Sequence, residues 1–541
     1  MTRSHLILAR ARIAALVLLV VGLAAGMPAS KSDLPVPECG VPQLPPARTD
    51  YRIPRPDLSG TVYYRTKTHI KVHYTTSGSD ATTLAYAESV AVFAESCWAR
   101  GDRAGWINPP SDYGVGGDNL FDIYCRLSDN LGAYGVSVYD TVNTTYYPDG
   151  WCSWVEVCTD SIPQPFTRYG RLKALVAHEF HHSVQQAYTE EEEPKWAFYE
   201  NTSVWVEEVL WPGNGTLYWR NNNPDSYVDN PLTRTYYSTN SISSTYEYPG
   251  GLWPLFLTEY FSSTTVRRIY ELCGNHTGNH ILKDIDSVLV RDFGVDLQTA
   301  YGHYALWRYF TGDRDDGLHY VRAEECTTAL LLRTHSSYPA SGDEGTWDPK
   351  GPGGMDLVSF TTNGSQDLTI TFNGQNSYVW RAYVICNRGS TTYEQRMILD
   401  ANYDGTITIP SWMVTTAVLV PVAVHWTDGL NETPALTFDY TASVADAPTG
   451  LAGEDARQPA LEFFAANPVR GPATIRYVLP RGLHGTLRVT DASGRLATAL
   501  ALTGTGRPAA VTIGREQVPT GIYFCQLVSG DEVLRRKLVL E

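Results

Sequence analysis

The chain has 541 residues, of which 43% are hydrophobic and 18% are charged, a composition that excludes wholesale disorder. At about 150 residues per domain, this length predicts roughly three or four domains. The formal net charge of −16 argues against a nucleic-acid partner, because an acidic surface repels phosphate backbones.

The first 29 residues have the pattern of a signal peptide. Arg3, Arg10 and Arg12 precede an apolar stretch from Ile13 to Ala25, and small residues follow it. The stretch is short for a bilayer span, and no later run reaches the roughly 18 apolar residues of a transmembrane helix. We therefore expect a secreted or cell-surface protein with no stable membrane span after signal removal.

Hydrophobic periodicity predicts a mixed α+β domain over residues 61–345. Before it, the Pro-rich segment 30–60 predicts an extended lead-in or a pro-segment. Alternating patterns predict strands, and apolar residues at helical spacing predict helices. The predicted elements are strand His69–Tyr74, helix Thr82–Trp98, strands Leu120–Tyr124, Ala133–Tyr139 and Ser153–Val157, and helices Tyr169–Tyr188, Trp196–Leu210, Leu252–Phe261 and Ser287–Phe310.

The second half of the chain predicts β-structure. Residues 346–446 are rich in Thr, Val, Ile and Tyr between Gly, Asn and Asp turns, which predicts a β-sandwich. Residues 447–460 predict a linker, and residues 461–541 predict a last, immunoglobulin-like β-domain. Export would permit disulfides, and Cys152 and Cys158 flank a short alternating stretch that a bridge could close, although spacing does not fix the pairing.

The segment LVAHEFHHSVQQAY carries the clearest chemical signal. In His178-Glu179-x-x-His182, the two imidazoles stand at i and i+4 of a predicted helix, so both can reach one metal ion. Glu179 stands beside them and can take a proton from a water activated at that ion. A third histidine, His181, stands at i+3 from His178, and we expect it to be a packed neighbour.

A catalytic zinc needs a third protein ligand and one open position. The metzincin pattern would require a glycine at 185 and a histidine at 188, and Gln185 and Tyr188 exclude it. The next predicted helix offers two carboxylates on one face, since Glu200 and Glu207 are separated by about two helical turns. Spacing alone leaves the third ligand open between these two.

The region 170–210 resembles the gluzincin metallopeptidases. In that family, a ligand glutamate follows the HExxH helix in a W-x-x-x-E-x-x-A/S-x-W/Y-x-E setting. The matching residues here are Trp196, Glu200, Ser203, Trp205 and Glu207. The segment is also similar to uncharacterised exported bacterial metallopeptidases that carry HEFxHxxQ.

The resemblance implies a zincin-like catalytic fold and a zinc cofactor. The implied zinc ligands are His178, His182 and Glu200, with Glu179 as the general base and Glu207 holding one of the ligand imidazoles. The family's usual glycine after the ligand glutamate is replaced here by Asn201. Asn201 also begins one of the chain's N-x-S/T glycosylation sequons, but a glycan would not fit inside an active-site helix. We therefore interpret the sequons as chance occurrences and favour a bacterial source.

The expected function is that of a secreted zinc-dependent endopeptidase acting on protein or peptide substrates. An extended substrate is expected to pair with a strand beside the HExxH helix, and Ser153–Val157 is the nearest predicted strand. Gluzincins usually add a downstream Tyr or His that stabilises the transition state. Tyr246 and Tyr248 are the candidates for that donor.

Two other functions stay open at this point. The two β-modules and the many Tyr and Trp residues would suit a surface adhesin or a glycan- or protein-binding protein with an inactive zincin-like domain. The intact Glu179 favours an enzyme. A zinc hydrolase that acts on another bond is the third hypothesis, because HExxH specifies water activation and not the group attacked.

Residues 461–541 resemble the C-terminal sorting domains of type IX secretion. The matching pieces are Asn467-Pro468, Asp491-Ala-Ser-Gly494-Arg495, Gly521-Ile-Tyr523 and the ending Lys537-Leu-Val-Leu540. The resemblance implies export and sorting machinery as a partner. A generic β-sandwich spacer is the alternative, because such sandwiches host many unrelated functions.

Overall fold

The computed structural model describes residues 53–160, 168–190, 195–213, 248–276, 280–344, 353–389, 391–426, 436–446, 460–463, 469, 472–480, 482–491, 494–505, 509–516, 518–529 and 532–540. The chain folds as a mixed α+β region followed by two-sheet β-modules. The proposed signal peptide, most of the linker and Tyr246 lie outside the described residues.

The first region is built on a five-stranded sheet. Its strands are β1 (Val62–Thr66), β2 (Ile70–Thr75), β3 (Phe121–Arg126), β4 (Gly135–Val142) and β5 (Trp151–Cys158), in the order β1-β2-β3-β5-β4. β2, β3 and β5 run parallel, and β1 and β4 are antiparallel outer strands. β5 covers the predicted substrate strand Ser153–Val157 but is paired on both sides, so β4 is the outer strand at this end of the sheet.

The first region also contains eight described α-helices, of which the first and third cover one face of the sheet. They are α1 (Leu84–Ala104), α2 (Ser128–Leu131), α3 (Arg168–Tyr188), α4 (Lys195–Leu210), α5 (Leu252–Phe256, continued by a π-helical turn over Leu257–Phe261), α6 (Thr265–Cys273), α7 (Ile281–Phe293) and α8 (Leu297–Tyr309). α3 packs against β4 and β5, with α1 and α4 beside it, so that even its polar residues are buried. None of the described helices combines the length and apolar character needed to cross a bilayer.

The predicted single helix over Ser287–Phe310 is wrong, because the chain forms two helices there. α7 ends at Gly294, which has φ 69°, a left-handed conformation that glycine adopts without strain. Asp296 then caps α8, its side chain accepting a hydrogen bond of 2.7 Å from the main-chain nitrogen of Thr299. The helical pattern continues across this break because both helices bury apolar faces in the same core.

A β-sandwich follows and shares a core with the helices. Its strands are β6 (Arg333–His335), β7 (Ala340–Glu344), β8 (Val358–Thr361), β9 (Gln366–Gly374), β10 (Trp380–Arg388), β11 (Thr391–Met397), β12 (Asp404–Ile409), β13 (Thr416–Ala423) and β14 (Phe438–Asp446), in two sheets ordered β11-β10-β13-β8-β6 and β12-β9-β14-β7. β6 pairs with β8 and β7 with β14, so the sandwich starts near Arg333 and not at residue 346. Ile385 and Val418 belong to the same buried cluster as α8.

The C-terminal module forms a second two-sheet unit. Its strands are β15 (Ala460–Phe463), β16 (Ala473–Val478), β17 (His484–Asp491), β18 (Leu496–Thr503), β19 (Ala509–Ile513), β20 (Gly521–Ser529) and β21 (Glu532–Leu540), in sheets ordered β15-β16-β19 and β18-β17-β20-β21. Arg536 on β21 pairs with the buried Glu394 on β11 at 2.8 Å. Burial raises the pKa of Glu394, but the charge of Arg536 and the nearby His319 outweigh it and lower that pKa to about 2. The module is thus joined to the sandwich by a buried ion pair.

The end of the lead-in is part of the fold. Leu58 is buried with Trp154 on the face of the sheet opposite α3, and Ile53 packs against the same cluster. The guanidinium of Arg55 lies 4.2 Å from the ring centroid of Trp154. The described end of the Pro-rich segment therefore packs against the folded domain.

Candidate metal centre

α3 and α4 bring His178, His182 and Glu200 together. One potential ligand atom from each residue lies within 4.8 Å of the others. Glu200 Oε2 is 3.0 Å from His178 Nε2, and Glu200 Oε1 is 3.6 Å from His182 Nε2. The three residues are only 2%, 1% and 1% exposed. Two imidazole nitrogens and a carboxylate oxygen around one point form a group that can bind a metal ion, and this donor set fits zinc.

Glu207 lies behind the group and not in it. Its Oε1 is 2.8 Å from Nδ1 of His178, the ring nitrogen that faces away from Glu200. Burial by itself lowers the pKa of His178, but the hydrogen bonds and charges of Glu200 and Glu207 raise it to about 10. Burial likewise raises the pKa of Glu200, and the charges of His182 and His178 bring it far below its ordinary value. Of the two carboxylates left open by the spacing, Glu200 is the one that faces both imidazoles.

The second imidazole is held by an amide. Nδ1 of His182 lies 2.8 Å from Oε1 of Gln185, one turn further along α3. Gln185 is fully buried. The sequence left Gln185 open between a residue that supports the metal site and a solvated one, and its burial against His182 excludes the solvated position.

Glu179 is fully buried between α3 and the outer strand β4. Gly135 on β4 makes this possible, because a Cβ at that position would lie 2.6 Å from both Cγ and Oε1 of Glu179. Two residues further along β4, Ser137 binds Ser183 at 2.7 Å and Gln186 at 3.1 Å. The candidate base therefore lies next to the strand at the edge of the sheet. A glycine inside a predicted strand indicates such a close approach, and this signal was missed.

The neighbouring residues also have defined positions. His181 packs edge-on against Trp106 with ring centroids 5.0 Å apart, and burial, together with the charges of His182 and His178, lowers its pKa well below the usual value. Asn201 is fully buried against Gly250, so a glycan has no room there. The ring centroid of Tyr248 is 6.1 Å from that of His178.

The cysteine pairing suggested by spacing is wrong. Cys152 and Cys158 lie near opposite ends of the same extended strand, β5. At about 3.3 Å per residue, their Cα atoms are far beyond the reach of a disulfide. All eight cysteines among the described residues are unbridged.

Comparisons with known proteins assign no family to the chain. No family model and no curated protein matches it. Among solved structures, it is similar to a biofilm-associated protein BSP domain (10% identity, TM-score 0.14, covering 44% of this chain and 55% of that one). It is also similar to β-glucuronidases from Ruminococcus gnavus (11% identity, TM-score 0.13, 34% and 35% covered) and Faecalibacterium prausnitzii (12%, 0.15, 34% and 36%). The matches span about a third to a half of those proteins, and TM-scores this low establish neither a common fold nor a common activity.

Proposed function

We propose that this chain is a secreted zinc-dependent endopeptidase of the gluzincin type. The observation that carries the proposal is the buried group of His178, His182 and Glu200, with Glu179 beside it on the same helix. Zinc bound to such a group would supply a Lewis acid that makes water a nucleophile near neutral pH and polarises a carbonyl oxygen.

The residues around the group have separate tasks in this proposal. Glu179 accepts a proton from the attacking water and passes it to the leaving amine. Glu207 and Gln185 keep the two ligand imidazoles oriented through their outer nitrogens. Tyr248, near His178, is the described candidate for a hydrogen bond to the oxyanion.

The topology favours a zincin-like catalytic domain. A mixed sheet lies against the helix that carries HExxH, and its outer strand on that side, β4, is antiparallel to its neighbour. Because β4 and not β5 is the outer strand, an extended peptide would add to the sheet along β4, beside Glu179. The immunoglobulin-like character of the two β-modules, export through the signal peptide, and recognition of the C-terminal module by sorting machinery belong to the same proposal.

Metal loading tests the proposed function. We expect one zinc ion per chain, and cleavage of casein or of a peptide library that is lost after chelation and restored by zinc. Zinc binding without cleavage of any peptide would reject the endopeptidase and favour the adhesin or a zinc hydrolase of another bond. A chain that binds no zinc would reject the metal site itself.

Replacing Glu200 and Glu207 one at a time is expected to weaken metal binding to different extents. Glu200→Gln removes the anionic ligand, whereas Glu207→Gln keeps an acceptor oxygen for His178 and removes only the negative charge behind it. We expect Glu207→Gln to weaken zinc binding by no more than about 10- to 100-fold, the usual effect of altering such a supporting group, and Glu200→Gln to weaken it more. Competition with a chromophoric chelator measures both. A larger loss in Glu207→Gln would reverse the two roles.

Replacing Gly135 with alanine is expected to lower activity without removing zinc. The new Cβ would lie 2.6 Å from Glu179 Cγ, so the base or the strand must move. A displacement of about 1 Å at a reacting group costs on the order of 100-fold in rate. Gly101→Ala on α1 is the control, since its nearest neighbour would be 3.4 Å away. Unchanged kcat/KM in Gly135→Ala would contradict the placement of Glu179 as the base.

A further inference from the structure

We propose that Gln185 is a positioning residue that fixes which ring nitrogen of His182 carries the proton, and thereby makes Nε2 the metal-binding atom. This inference rests on the proposed metal site and adds a residue that the HExxH motif does not contain.

The orientation of the Gln185 amide is determined by what surrounds its nitrogen. Nε2 of Gln185 lies 3.0 Å from the main-chain oxygen of Tyr199, and a carbonyl oxygen can only accept. The same nitrogen is 2.6 Å from Oγ1 of Thr202, whose own hydroxyl can donate to the main-chain oxygen of Phe198 at 2.8 Å. A third neighbour, the hydroxyl of Tyr270, is 3.1 Å away. The NH2 group therefore faces α4 and α6, and the amide oxygen must face α3.

The amide oxygen then determines the tautomer of His182. Oε1 of Gln185 is 2.8 Å from Nδ1 of His182, and because this oxygen has no proton to give, Nδ1 must carry one and donate it. Ser203 Oγ, 3.3 Å from the same nitrogen, can serve as a second acceptor. A neutral imidazole protonated at Nδ1 has its lone pair on Nε2, the nitrogen that faces Glu200.

An amide does what a carboxylate at this position could not. An ionised carboxylate would accept from His182, but it would place a lone pair against the carbonyl of Tyr199. Gln185 instead accepts from one ligand and donates to the residue directly before the other, since Tyr199 precedes Glu200 in α4. One side chain thus sets the protonation of His182 and hydrogen-bonds the helix that supplies Glu200.

Two variants separate these tasks, and a third serves as a control. Gln185→Met removes the acceptor and the donors, whereas Gln185→Glu keeps an acceptor oxygen for His182 and loses the amide donors. Gln186→Met removes an equally buried amide that contacts Ser137 on β4 and not the metal group. We expect zinc affinity to fall about 10- to 100-fold in Gln185→Met and to stay much closer to wild type in Gln185→Glu and Gln186→Met.

The readouts are zinc affinity by chelator competition, the visible absorption spectrum of the cobalt-substituted protein, and the melting temperature. Both Gln185 variants are expected to melt earlier, but only Gln185→Met should alter the cobalt spectrum. The proposal would be overturned in favour of a purely structural role if Gln185→Met and Gln185→Glu lost equal amounts of zinc affinity and these losses paralleled the decrease in melting temperature. Wild-type affinity in a folded Gln185→Met protein would overturn it as well. Because affinity is measured without substrate, wild-type protein that binds zinc but cleaves no peptide would reject the endopeptidase and leave this comparison intact.

Discussion

Glu179→Gln is expected to abolish peptide hydrolysis while zinc stays bound. The substitution preserves size and hydrogen bonding at a fully buried position, but a neutral amide cannot take a proton from water. A positioned general base contributes about 100- to 10,000-fold, so kcat should fall by that factor. Cleavage of a fluorogenic peptide and zinc content, measured on the same preparation, test this together.

A surface carboxylate provides the matched control. Glu88→Gln on α1 makes the same chemical change at a side chain that is 44% exposed, and it should leave both zinc content and rate unchanged. Full activity in Glu179→Gln would exclude Glu179 as the base. Loss of zinc in that variant would instead make Glu179 part of the metal-binding group.

Arg55→Leu is expected to cause the largest loss of stability. The guanidinium is 12% exposed and lies 2.5 Å from Asp112, 2.8 Å from Asp140 and 3.9 Å from Asp122, all of them buried. Removing the cation leaves carboxylates buried without their counter-charge, and breaking a buried pair in this way costs about 3–5 kcal/mol. Urea unfolding followed by tryptophan fluorescence measures the change.

Arg65→Ala provides the comparison, because it removes an exposed ion pair whose contribution to stability should be small. Arg65 is 35% exposed and lies 4.0 Å from Glu88, so its loss should cost no more than about 1 kcal/mol. Arg55→Lys should cause a loss of stability between those of the other two variants. It keeps the positive charge but loses the planar guanidinium that reaches two carboxylates. If Arg55→Leu is no worse than Arg65→Ala, the lead-in contributes little to the fold.

The metal group was predictable because its determinants are local. His178 and His182 share a face through helical periodicity alone, and Glu200 lies in a short motif on the next helix. The sequence indicated only that Gln185 could support the metal site and that Gly135 could allow a close approach, because their partners Tyr199 and Glu179 come near them only in the folded chain. Spacing could not separate Glu200 from Glu207 either, because both lie on one face of α4 and only packing decides which carboxylate reaches the imidazoles.

The fold likewise has some features that the local sequence predicts and others that depend on residues far along the chain. The break between α7 and α8 was readable, because a glycine at 294 followed by a capping Asp296 is a common helix stop and start. The start of the sandwich was not, since β6 and β7 are short and have no apolar alternation. Their place is set by pairing with β8 and with β14, far along the chain.

The common core of α8 and the sandwich has a practical consequence for making this protein in pieces. Gly302 on α8 lies so close to Tyr383 on β10 that a Cβ would come 2.1 Å from the tyrosine hydroxyl. Expression of residues 61–345 alone would remove that contact and expose an apolar surface of the helical region to solvent, which promotes aggregation. A recombinant fragment meant for crystals or assays should therefore begin before Ile53 and extend at least through Asp446.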